Sequence, residues 1–131
     1  MSARKAPAAK DNANVSVYCR IRPLSKRDTD HGGVVTITTD GSRAALTHAG
    51  EVHNFAFDKV FDLDATQQQV FDGVRVSDSV NSVLGGYNAT IFAYGQTASG
   101  KTHTMEGADI GDPVTRGIIP RAAAALFAGV A

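Results

Sequence analysis

The apolar run "ATIFAY" (89–94) passes without a spacer into "GQTASGKT" (95–102). A nearly continuous apolar hexapeptide predicts a strand buried on both faces and placed centrally in its sheet. The octapeptide matches G-x-x-x-x-G-K-[ST], the turn that carries a chain from such a strand into a helix around a phosphate group. Gly95 and Gly100 can take the backbone angles of a tight loop, so that successive N–H groups across Gln96, Thr97, Ala98 and Ser99 turn inward on an anion. Lys101 would bring a point charge to the β- and γ-phosphates at the start of the next helix, whose free N–H groups add to the attraction. The Thr102 hydroxyl is placed to ligand Mg²⁺. The bare pattern arises by chance in about one chain in two hundred of this size. The plain alternative is a glycine-rich strand-to-helix turn with an exposed lysine; the strand before and the helix after it favour nucleotide binding.

The rest of the chain supplies the layers such a strand needs. Residues 1–13 are small, polar and charged without periodicity, and read as a disordered leader. "VSVYCRIRP" alternates, with Val15, Val17, Cys19 and Ile21 predicted on a buried face and Tyr18, Arg20 and Arg22 on the other, before Pro23 closes the strand. "VVTITT" (34–39), "RAALTH" (43–48) and "VHNFAFDKVF" (52–61) are β-like runs between turn signals, read as a small meander leading into a core strand. Asp64 and Gln67 form a candidate capping pair for one amphipathic helix that runs to Gly85-Gly86, with Val70, Phe71, Val74, Val80, Val83 and Leu84 on its apolar face. "IIPRAAAALFAGV" predicts a final helix with Pro120 in its first turn. The expected class is α/β.

Composition sets limits on partners and compartment. Thirteen Lys+Arg balance thirteen Asp+Glu, so no global charge favours nucleic acid or an anionic membrane. No apolar run reaches the roughly 20 residues of a membrane span, and the N-terminus has no signal-peptide core. Cys19 is the single cysteine and has no internal disulfide partner. A soluble protein of a reducing, cytosolic compartment is expected, with Cys19 serving packing rather than reactivity.

Four blocks in order, "CRIRP" (19–23), "FAFDKVF" (55–61), "GYNATIFAYGQTASGKTHTMEG" (86–107) and "GIIPRA" (117–122), resemble the start of the kinesin motor domain. The resemblance covers about residue 14 to the end, and it implies the N-terminal part of a P-loop NTPase-type three-layer α/β/α motor domain. It implies ATP and Mg²⁺ as ligands, microtubules (tubulin) as partner and a place on the cytoskeleton in the cytoplasm. By the same resemblance Arg20, Arg22 and Pro23 would flank the adenine, and His103 would form a second wall of that pocket. Without it, two charges on a solvated strand face and a surface histidine would be the ordinary readings. Ala89 and Ala98 depart from commoner family residues at variable positions, and neither change removes a phosphate contact.

Two further family motifs, an "NxxSSRSH"-like and a "DLAGSE"-like switch, do not occur in these 131 residues. Phosphoryl transfer needs a metal, a positioned water and groups that stabilise transition-state charge besides the phosphate cradle. The chain alone is therefore expected to bind nucleotide without efficient hydrolysis, and its central strand to lie exposed on both edges and both faces. Competing readings are a short non-motor module that binds nucleotide or a partner without turnover, and an unrelated P-loop ATPase.

Overall fold

The computed structural model describes residues 15–130; the expected leader lies outside the described residues. Five strands and five helices follow one another: β1 (Tyr18–Arg20), α1 (Lys26–Asp30), β2 (Ile37–Thr39), β3 (Arg43–His48), β4 (Glu51–Ala56), β5 (Lys59–Phe61), α2 (Gln67–Gly73), α3 (Val76–Leu84), α4 (Lys101–Met105) and α5 (Ile118–Val130). The strands β2, β3 and β4 form the expected antiparallel meander, with Ile37 opposite Leu46 and Arg43 opposite Ala56. The run at 52–61 is not one strand. It breaks at Phe57 and Asp58, whose N–H groups bond to the Ser42 and Val17 carbonyls, and resumes as β5, paired in parallel with β1.

The face of β1 that packs is the one carrying Tyr18, not the one carrying Val15 and Val17. Tyr18 stands 6.5 Å from the Phe61 ring centre and joins the core, while Val15 and Val17 are exposed and Cys19 and Ile21 are half-buried. Alternation fixed which residues share a face; it did not say which face the helices would cover. Phe61, Val70, Phe71, Val76, Val80 and Ile118 make the core, drawn from β5, α2, α3 and α5.

The helical stretch departs from expectation twice. Its N-cap is Thr66, whose hydroxyl accepts from the Gln69 N–H at 3.2 Å while the Gln69 side chain accepts from the Thr66 N–H at 2.8 Å. Asp64 and Gln67 do not cap; Gln67 is drawn inward instead. The helix then breaks into two, because Arg75 takes a left-handed conformation at φ 58° between α2 and α3. Gly73 marks the bend, since a Cβ there would stand 2.6 Å from the Phe61 ring. As expected, α3 stops at Gly85, with Gly86 at φ 88°.

Residues 89–94 form no strand. Among the described residues no neighbouring strand offers the hydrogen bonds a ladder requires. The period of two survives: Ile91 and Ala93 are half-buried, with Ile91 against the helical core, while Phe92 is 76% and Tyr94 95% exposed. A segment that is apolar on both faces thus has only one covered. No helix among the described residues is long and apolar enough to cross a membrane.

Candidate functional site

The segment Gly95–Lys101 folds as a turn, closed by the Ser99 N–H on the Gln96 carbonyl at 3.2 Å. Gly100 precedes α4 at φ 100°, a conformation that suits a residue without Cβ. At Gly95 a Cβ would stand 2.5 Å from Ser99 Oγ, so the loop's entry and exit are in close approach. Ala98 holds φ 65°, a left-handed angle that costs an alanine about 1 kcal/mol or more. Lys101 Nζ donates to the carbonyls of Gly95 and Gln96, both at 2.7 Å. Its ammonium therefore lies against the loop it terminates. Among the described residues the Thr102 hydroxyl has no hydrogen-bond partner, and the Thr102 carbonyl accepts from Glu106 within α4.

Two adjoining clefts meet at this loop. The outer one, of about 310 Å³, is lined by Thr97, Ala98, Gly100, Lys101, Thr102 and His103. Beside it lies a cleft of about 150 Å³ where Arg20, Arg22 and Pro23 meet Ser99, Gly100 and His103, with Ala65 and Asp64 completing the wall. Gly100 and His103 line both, so the two clefts adjoin at the start of α4. Of the residues expected from sequence, only Gly95 and Gln96 line neither cleft; they serve through their carbonyls on Lys101.

The two arginines differ in their commitments. Arg20 is half-buried and its guanidinium is spent on the protein: Nη1 donates to Gln67 Oε1 and Thr104 Oγ1, each at 3.0 Å, and Nη2 to the Ala65 carbonyl at 3.2 Å. Its role is to brace β1 against α2 and α4, and stacking on a purine is not its present geometry. Burial lowers its pKa. Arg22 is exposed and its Nη2 pairs with Asp28 Oδ2 at 2.6 Å, while its aliphatic stem runs beside Gly100. Arg20 nonetheless lines the smaller cleft together with Arg22, Pro23 and His103.

Sequence reasoning missed Gln67 as a site residue. Its Nε2 donates to the His103 carbonyl at 2.7 Å and lies 3.3 Å from His103 Nε2. Burial, and secondarily the Arg20 charge, lower the His103 pKa and favour the neutral ring. A glutamine at the first position of a helix carries no local signal of such a role. Among the described residues no three His, Cys, Asp or Glu side chains are grouped as for a metal ion.

A family model, the kinesin motor domain, matches residues 20–131. The chain belongs to the kinesin motor-domain family. Kinesin heavy chain of Drosophila melanogaster is 46% identical over 97% of this chain and 13% of its own length, and kinesin heavy chain of Caenorhabditis elegans is 48% identical over 86% and 13%. The chain thus spans about an eighth of the length of these kinesins. A solved structure of a fast kinesin superposes with a TM-score of 0.81 at 37% identity, covering 87% of this chain and 32% of that one. The fold is accordingly that of a P-loop NTPase-type kinesin motor domain in its N-terminal part, as the sequence resemblance implied.

Proposed function

We propose that this chain is the ATP-binding portion of a kinesin-type microtubule motor, whose whole activity is microtubule-stimulated ATP hydrolysis driving movement. The observation that carries the reading is the pair of adjoining clefts, one lined by Thr97, Ala98 and Gly100–Thr102 and the other by Arg22, Pro23 and His103, that share Gly100 and His103. The residues fit the ligand. The loop is closed by two glycines at positions where a side chain would crowd or strain it. Thr97 to Thr102 would hold the triphosphate, Lys101 exchanging its two carbonyl acceptors for phosphate oxygens. Arg22 and Pro23 on one side and His103 on the other would border the base, with Arg20 fixing the wall behind them.

Thr102 would supply the protein's hydroxyl to Mg²⁺. When bound, the ion would offset negative charge on the phosphates. In this reading the groups that position water and stabilise the transition state lie in further chain, as does the microtubule contact. In cells the whole motor would act on cytoplasmic microtubules.

Titration of the chain with a fluorescent ATP analogue and Mg²⁺ tests the binding reading. Lys101→Ala should weaken binding by more than about tenfold, the loss of charge-assisted bonds to phosphate. Equal affinity of wild type and variant would remove the phosphate loop from the assignment.

A further inference from the structure

The base-side wall is built on a single buried amide. Gln67 is 6% exposed, one of two buried polar side chains among the described residues, and its amide is used at both ends. Oε1 accepts from Arg20 Nη1; Nε2 donates to the His103 carbonyl and approaches the His103 ring nitrogen Nε2. It thereby ties together three elements: β1 through Arg20, α2 through its own backbone and α4 through His103. Thr104 Oγ1 accepts from the same Arg20 nitrogen and closes the ring of contacts at the adjacent residue of α4.

An amide NH₂ is a donor only, so the ring nitrogen it faces must be the acceptor. That fixes His103 with its proton on Nδ1 and Nε2 bare. Rotating the amide by 180° would set its NH₂ against the Arg20 guanidinium, donor to donor, so the Arg20 contact selects the amide orientation that in turn selects the tautomer.

We propose that Gln67 is a positioning residue for the nucleotide site: it sets the tautomer and orientation of His103, and so shapes the wall against which the base is received. The proposal rests on the nucleotide-binding reading above and deepens it. Gln67 touches neither cleft itself, which separates this role from direct contact with ligand. Its effect should fall on the base and leave the phosphates alone, because its contacts reach His103 and Arg20 and none reaches Gly95–Lys101.

The full chain, ¹⁵N-labelled at histidine, provides the first test without any variant. The His103 nitrogens should report a neutral ring protonated at Nδ1 above pH 7; a ring protonated at Nε2 overturns the proposal. Gln67→Glu keeps an acceptor for Arg20 and removes the donor to His103. It should weaken ATP about tenfold while leaving inorganic tripolyphosphate within about twofold. Equal losses for both ligands, or no loss for ATP, overturn the positioning role while the nucleotide reading stands. Wild-type chain that binds neither ligand overturns the nucleotide reading, and the proposal falls with it.

Discussion

Asp28 shows how a single carboxylate can place a site residue from outside the site. It accepts the Ser25 backbone N–H and the Ser25 hydroxyl, both at 2.7 Å, and pairs with Arg22 at 2.6 Å. The Ser25 backbone bond first, then the Ser25 hydroxyl and Arg22, push its pKa down to about 2. Because the folded value lies below the ordinary 3.8, the contacts contribute fully above that pH and are lost as pH falls toward about 2. Carbon-detected titration of the Asp28 carboxyl should give a midpoint near the lower value; a midpoint at the ordinary one would mean that the Ser25 cap and the Arg22 pair do not persist in solution. His103 has the opposite charge chemistry and the same direction of loss. Its pKa is lowered, so the unfolded chain takes up a proton near 6.5 before the folded one does, and stability should decline as pH falls below that value. Replacing His103 with Gln should flatten the decline below pH 6.5 in urea unfolding. At this scale Lys101 and Thr102 were legible because their spacing is local. Gln67 was not, since its partners lie 47 and 36 residues away.

Among the elements, the segment between α4 and α5 is held by two close backbone approaches and one buried side chain. Gly107 pairs with Arg116 in a single bridge, and the Gly117 N–H donates to the Glu106 carbonyl at 2.8 Å. A Cβ on Gly117 would stand 2.7 Å from the Met105 carbonyl oxygen and the Gly107 nitrogen, atoms that cannot swing aside. Arg121 locks the same loop from inside, donating to the carbonyls of Pro113, Val114 and Arg116 and to the Gln68 side chain. Gly117→Ala should therefore cost about 2 kcal/mol or more, seen as a lower urea midpoint with an unchanged slope. A change within about 0.5 kcal/mol would show that the loop adapts freely. Period and turn signals revealed the meander and α5, because alternation, Gly and Pro act locally. The break between α2 and α3 carries no local signal because Gly73 yields to Phe61, a ring from β5.

For the molecule as a whole, the imbalance lies between what is covered and what is apolar. Tyr87, Phe92, Tyr94 and Phe127 are all well exposed, Phe127 at 80%. The sequence marked residues 89–94 as core, and a segment's own residues say how apolar it is without saying which strands will flank it. Self-association of the chain should follow from that exposed surface. Light scattering should give an apparent mass that rises with concentration above the 13.7 kDa monomer, and the double change Phe92→Ser with Tyr94→Ser should reduce the rise. A wild-type mass that stays monomeric at every concentration would show that the exposed aromatics are not sticky enough to matter.

The bond from Arg20 to Thr104 joins residues 84 positions apart. A ribosome delivers Arg20 long before Thr104, at roughly 5–20 residues per second, so several seconds separate the two halves of this wall. During that interval Arg20 has neither its threonine nor His103 beside it, and the emerging chain holds no finished receptacle for a base. The ability to take up nucleotide would then arise only once α4 has emerged, as a sign that the first strand has found the helix behind the phosphate loop.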